Sequence, residues 1–174
     1  MKRFYQMAQA GREADVYIFG DIVTPDEKSW SEFWGDTSPT SGLSLVNDIS
    51  ALDVDTINVH INSYGGVVSE GLAIYNALKQ HNAKVRTYCD GFACSAASVI
   101  FMAGDERIMG EASLLMIHNA WSYAGGNAKE LRKAAEDLDT ISAAAANAYK
   151  ASVSISDEKL ADLLDNETWI LPED

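Results

Sequence analysis

Residues 56–80 read TINVHINSYGGVVSEGLAIYNALKQ, and this stretch decides the fold. In Thr56–Ile61 the apolar Ile57, Val59 and Ile61 alternate with Asn58 and His60. That period of two is the mark of a strand with one buried face. Asn62–Gly66 is a turn, and from Ser69 to Gln80 the residues Leu72, Ile74, Tyr75 and Leu78 fall on one side of a helix. The same succession returns directly: a strand at Lys84–Tyr88, a turn at Asp90-Gly91, and an apolar, small-residue helix after Ser95. Strands that alternate with helices define an α/β fold with crossover connections. In such folds sites gather where strands end and helices begin.

Outward from this core, Val16–Gly20 reads as a strand and Leu43–Leu52 as a helix. Arg107–Met109 and Leu114–Ile117 read as short strands, followed by a polar, Gly-bearing loop at 119–127. Residues 128–152 form a long helix with Leu131, Ala134, Ala135, Leu138, Ile141, Ala145 and Tyr149 on one stripe. A short helix at Asp157–Leu164 has Ser156 as its N-cap. Residues 24–42, with two of the three prolines, read as a loop insertion. Its Trp30, Phe33 and Trp34 pack on the body or form a subunit contact. The expectation is one domain over 1–174.

The chain has 174 residues, with 13 Lys and Arg against 26 Asp and Glu, a net charge of −13. An apolar fraction of 47% at this length supports a real core and excludes wholesale disorder. The excess of acid argues against a general nucleic-acid binder, which needs a basic face. Only two cysteines are present, Cys89 and Cys94, both in an apolar stretch. They read as small buried hydrophobes in a reducing, cytoplasmic compartment rather than as a disulfide framework. No stretch is long enough for a signal peptide core or a membrane helix. No metal or cofactor motif is evident: the Gly65-Gly66 turn is neither GxGxxG nor a phosphate loop.

Two strand-to-helix corners carry the chemistry. At INSYGGVVSEG, 61–71, paired glycines let the backbone approach a ligand and expose N–H groups to a developing oxyanion. The same pair is also explained by a tight turn alone. At DGFACSAAS, 90–98, Ser95 opens a helix among small neighbours. That suits an exposed nucleophile beside a helix N-terminus, and equally a simple N-cap. Ser98 is a rival hydroxyl one turn further in. A nucleophilic serine needs a base. His60 lies within a strand and reads as structural, and His81 follows a helix at a surface site. His118 ends the apolar strand LLMIH at the edge of a polar loop, where a ring can be held for proton transfer.

Taken together, INSYGG at 61–66, GFACS at 91–95 and MIHN at 116–119 closely resemble the proteolytic subunit of Clp protease, ClpP. The likeness is strongest to the shorter ClpP-like peptidases of phages and prophages. It covers about residues 14–174. It implies a ClpP/crotonase-like α/β fold of repeated ββα units, with residues 128–152 as a protruding handle helix. It implies a serine endopeptidase with Ser95 as nucleophile and His118 as base, and with the N–H groups of Gly66 and Ala96 as oxyanion hole. Gly65, Val67, Val68 and Asn119 would flank an extended substrate. The third triad member falls at Glu167, aligned on Trp169, with Asp165 as fallback. Tyr64 stands where the family has proline.

The resemblance further implies a peptide or protein substrate and a homo-oligomeric ring, in relatives two stacked heptamers. It leaves open an ATP-dependent unfoldase or phage capsid proteins as partners, the latter in head maturation. It also implies that the chain stops short of the family's final strand. The rival readings are an inactive or scaffold ClpP-like subunit, a signal-peptide-peptidase-like enzyme, and a crotonase-type acyl-CoA enzyme.

Overall fold

The computed structural model describes residues 5–24 and 40–174. Its centre is a seven-stranded sheet built from β1 (Tyr5–Ala10), β2 (Glu13–Phe19), β5 (Thr56–Ser63), β6 (Lys84–Cys94), β7 (Glu106–Met109), β8 (Leu114–Ile117) and β9 (Thr168–Ile170). The strands lie in the order β1-β2-β5-β6-β8-β9, with β7 also on β6. The interior pairs β2–β5, β5–β6, β6–β7 and β6–β8 are parallel, and the edge pairs β1–β2 and β8–β9 are antiparallel. The helices are α1 (Gly42–Ser50), α2 (Val68–Gln80), α3 (Ala96–Phe101), α4 (Ala128–Lys150) and α5 (Asp157–Asp165). This is the α/β architecture expected from the alternation of elements.

One face of the sheet carries the core. Ala14, Val16 and Ile18 of β2, Ile57, Val59 and Ile61 of β5, and Val85 and Cys89 of β6 are buried with Leu45, Ile49, Ile74, Leu78 and Ile100 from α1–α3. Parallel strands covered on both faces read as unbroken apolar runs. Here the other face is only part-covered, so polar residues alternate with apolar ones. On that face His60 is stacked between Tyr17 and Tyr88, at ring separations of 4.8 and 4.7 Å, and its Nδ1 lies 2.7 Å from Asp90 Oδ2. The structural reading of His60 agrees with this packing. His81 is also held at both nitrogens: Nδ1 accepts from Ala83 N–H, which leaves Nε2–H to donate to the Leu52 carbonyl.

The expected turn at Asp90-Gly91 is a bulge inside one continuous strand. Ile61 pairs with Cys89, yet Ser63 pairs with Ala93, so β6 carries two extra residues at this point. Asn62 holds the bulge, its Oδ1 accepting the Phe92 N–H at 3.1 Å. Before the bulge β6 pairs with β7, and after it with β8. The strand read over Lys84–Tyr88 therefore runs on to Cys94, and the helix read after Ser95 spans Ala96–Phe101. The hairpin strand β1 and the strand β9 were not evident from periodicity.

The expected insertion at 24–42 lies largely outside the described residues, as do Trp30, Phe33 and Trp34. Its two ends are described: β3 (Ile22–Val23) and β4 (Thr40–Ser41) pair in parallel. The long helix α4 starts at a complete capping box, with Asn127 Oδ1 accepting the N–H of Lys129 and Glu130 and the Glu130 carboxylate accepting the Asn127 N–H. Only Ala148 and Tyr149, near its end, are buried. Among the described residues no helix is long and apolar enough to cross a membrane.

Tyr149 joins α4 to the core. Ser98 Oγ donates to the Ser95 carbonyl at 2.6 Å, so the Tyr149 hydroxyl, 2.6 Å away, must donate to Ser98. Burial pushes the Tyr149 hydroxyl up to about 12, against a smaller opposing effect of the Ser98 hydrogen bond. An exposed tyrosine in the unfolded chain titrates near 10. Above that pH the unfolded chain loses this proton while the folded chain keeps it, so folding stability falls as pH rises from about 10 towards 12. Tyr149→Phe should cost about 1 kcal/mol at neutral pH and flatten this alkaline loss, as read from urea unfolding across the pH range.

Candidate active site

The site is assembled where three strand ends meet. β6 ends at Cys94, and the next residue, Ser95, has φ 56 and ψ −126, outside the conformations open to most L-residues. Such a backbone costs on the order of 1–3 kcal/mol and persists only where its surroundings over-determine it. Here they do. The Ser95 N–H donates to the Met116 carbonyl on β8 at 2.9 Å, and the Ser95 carbonyl accepts from Ser98 N–H, Ser98 Oγ and Val99 N–H. Ser98 is fully buried by these contacts, which removes it as a competing nucleophile.

The glycine turn after β5 packs directly on this corner. Gly65, at φ +97, sits so close that a Cβ there would lie 2.5 Å from the Cys94 carbonyl and 2.8 Å from Ser95 Cβ. Gly66, at φ +141, is closed on its other side by Ile22, whose carbonyl would be 2.0 Å from an added Cβ. Ile22 N–H donates to the Gly65 carbonyl and Val67 N–H donates to the Ile22 carbonyl. In a trans peptide the carbonyl and the following N–H point in opposite directions, so with the Gly65 carbonyl on Ile22 the Gly66 N–H points to the opposite edge. Among the described residues neither this N–H nor that of Ala96, the first of α3, has a hydrogen-bond partner.

His118 follows β8 directly, and its Nε2 lies 2.7 Å from Ser95 Oγ. Both side chains are half-buried. The parallel pairing of β8 with the end of β6 sets this meeting, since Cys94 is opposite Met116. The adjoining cleft has a volume of about 1010 Å³, and Gly65, Gly66, Val67, Val68, Ser95 and His118 all line it. Asn119 turns elsewhere, donating from Nδ2 to Asp165 Oδ1 at 2.7 Å.

The expected acid is not on the histidine. Glu167, at φ +48, is exposed, and among the described residues no carboxylate is hydrogen-bonded to His118. Its position is nevertheless close in register. β9 runs antiparallel to β8 and the ladder ends with Thr168 opposite Ile117, so Glu167 and His118 are the residues just beyond its end on the two strands. The Asn119–Asp165 bond and the β8–β9 pairing are features that sequence reasoning missed, because a three-residue strand carries no periodicity. Both cysteines are buried free thiols, and burial pushes their thiols up, Cys94 to about 11. Neither is poised as a rival thiolate. Among the described residues no group of three or more His, Cys, Asp or Glu side chains could hold a metal ion.

Comparison with known proteins shows the family of the chain. The family model for Clp protease matches residues 44–174. The chain is 32% identical over 137 residues to the ATP-dependent Clp protease proteolytic subunit of Deinococcus radiodurans, a match covering 75% of this chain and 67% of that protein. It is 35% identical over 112 residues to the protein of the same description from Carsonella ruddii, covering 62% of this chain and 58% of the relative. It is 28% identical over 152 residues to the ATP-dependent Clp protease proteolytic subunit 1 of Borreliella burgdorferi, covering 86% and 73%. With the parallel sheet, the paired glycines and the serine–histidine contact in one cleft, the chain belongs to the Clp protease family and is a serine-type endopeptidase.

Proposed function

We propose that Ser95 and His118 perform peptide-bond hydrolysis by acyl transfer. The observation that carries this reading is the 2.7 Å contact between His118 Nε2 and Ser95 Oγ at a strained corner open to a large cleft. With its proton on Nδ1, the imidazole accepts the Ser95 proton as Oγ attacks the scissile carbonyl. The tetrahedral oxyanion then lies between the Gly66 and Ala96 N–H groups, each such donor being worth roughly 2.7–4 kcal/mol of barrier. The imidazolium returns its proton to the leaving amine, and water, activated by the same ring, releases the acyl group.

The acid of this scheme is Glu167. Its place just beyond the end of the β8–β9 ladder, where His118 also lies, supports it, and Asp165 is already engaged by Asn119. A Glu167 carboxylate turned onto Nδ1–H would orient the ring and stabilise its cation. Substrate lies as an extended strand between the segment Gly65–Val68 and the loop beginning at Asn119, paired through the main chain.

Assembly into a ring of identical subunits is part of the same proposal. α4 leaves Leu131 exposed in its first half, and its buried residues, Ala148 and Tyr149, lie near its end, as suits a handle that meets another subunit. The names of the relatives speak of ATP dependence, which makes an ATP-driven unfoldase the expected partner class.

Ser95→Ala should abolish labelling by an alkyl fluorophosphonate, followed by intact-protein mass, while leaving the thermal midpoint near wild type. Surviving labelling at another serine would sink the assignment. Glu167→Ala should lower kcat by at least about 100-fold, and Asp165→Ala by only a few-fold, in a fluorogenic peptide assay. The reverse order would make Asp165 the acid. Gly66→Ala should lose activity by about 100-fold or more, since the Cβ meets the Ile22 carbonyl and displaces the oxyanion donor.

A further inference from the structure

The second half of α4 is tied to both corners of the site from behind. At the nucleophile, the Tyr149 hydroxyl donates to Ser98 Oγ at 2.6 Å, and Ser98 Oγ donates on to the Ser95 carbonyl. Just past the helix, Ser152 Oγ donates to the Met102 carbonyl at 3.0 Å. Arg107 bridges the same two elements, donating to the Gly104 carbonyl at 2.6 Å and the Ser152 carbonyl at 3.1 Å. Both ends of α3, the helix that Ser95 opens, are therefore fixed to the end of α4. Tyr149 is only 3% exposed, so its link to Ser98 is shielded from competing water.

At the base the sheet gives out. β8 ends at Ile117, so His118 and the loop after it lie beyond the strand that pairs Cys94 with Met116. That loop is tied to α4 instead: Ala120 N–H donates to Ser142 Oγ at 3.0 Å. Serine is less favourable inside a helix than the alanines that follow it here, so this hydroxyl is held against local propensity. Ser142 and Tyr149 are close to two turns apart, on one face of the helix and about 10 Å along its axis. None of Ser142, Ser98 and Tyr149 lines the cleft that Ser95 and His118 face.

Building on the Ser95–His118 reading, we infer that Tyr149 and Ser142 are positioning residues, through which α4 acts as a brace that sets nucleophile and base at their 2.7 Å separation. A hydrogen-bonded helix does not stretch, so two ties on one face hold two distant loops at a fixed spacing. Tyr149 fixes the block of α3 and Ser95, and Ser142 fixes the loop that leaves His118. Neither residue touches substrate, so the brace acts on the rate of the chemistry and not on substrate binding.

The test uses the intact protein and three readouts: the rate of labelling by an alkyl fluorophosphonate, kcat and KM for a fluorogenic peptide, and native mass. Tyr149→Phe and Ser142→Ala should each lower the labelling rate and kcat by about tenfold, with KM within about twofold of wild type and native mass unchanged. Ser142→Thr, which keeps the hydroxyl, should recover at least about half of the wild-type rate. The double variant Tyr149→Phe/Ser142→Ala should be about as slow as the slower single variant, because releasing either end already frees the brace. Two unconnected defects about 10 Å apart would multiply instead, to a loss of about 100-fold, and that result would overturn the proposal. An unchanged rate in either single variant would overturn it too, as would a rise in KM alone or a loss that appears only together with a fall in native mass. The single variants and the threonine rescue decide the matter even where the double variant does not fold. Failure of the alkyl probe on wild type would bring down the Ser95–His118 reading and this inference with it, whereas normal wild-type labelling with unaffected variants would remove the brace alone.

Discussion

Everything at the site depends on the backbone of Ser95 being held where a serine does not rest by itself. Its strained φ and ψ turn the chain from strand to helix within one residue and leave Oγ facing the cleft. The strain is offset from both sides. β8 takes the Ser95 N–H, and the first turn of α3 takes its carbonyl three times over. The Ser98 hydroxyl contact leads on to Tyr149, 51 residues further along, so the long helix α4 supports the nucleophile. A buried polar chain of this kind is high-stakes, since each member left unpaired would cost more than it contributes when paired.

The second constraint is the bulge in β6. A regular strand would have carried its pairing with β7 straight on and placed Cys94 and Ser95 out of reach of His118. The two extra residues near Asp90–Phe92 let β6 change partner, from β7 to β8, and this change puts the end of β6 beside the end of β8. Asn62 stabilises the bulge and belongs to the same INSYGG segment whose glycines close on Ser95. The two corners are thus one structure: the side chain that holds the bulge and the backbone that walls the cleft are neighbours in sequence.

Glycine is required in this segment because of approach and conformation together. Gly65 and Gly66 both have positive φ, and both have backbone atoms where a Cβ would sit. Tyr64, just before the glycines, has no such constraint on its ring. It therefore turns outward against Phe92 and into the cleft.

The sequence by itself determined the α/β alternation, the buried face of each interior strand and the two corners, whereas Ser95 and His118 were joined as a pair through the family resemblance of their motifs. These were legible because they rest on local rules: period-two burial, a 3.6-residue stripe, and glycine or serine at a sharp bend. Only the tertiary structure decided that Oγ and Nε2 lie within a hydrogen bond, that the apparent turn at Asp90-Gly91 is a bulge, and that Ser98 is committed to the backbone. It also decided that β9 lies beside β8 and that Asn119 holds Asp165. Each of these depends on which strand lies beside which. Strand register is fixed by contacts between residues far apart in the chain, so the local pattern that announces a strand does not carry it.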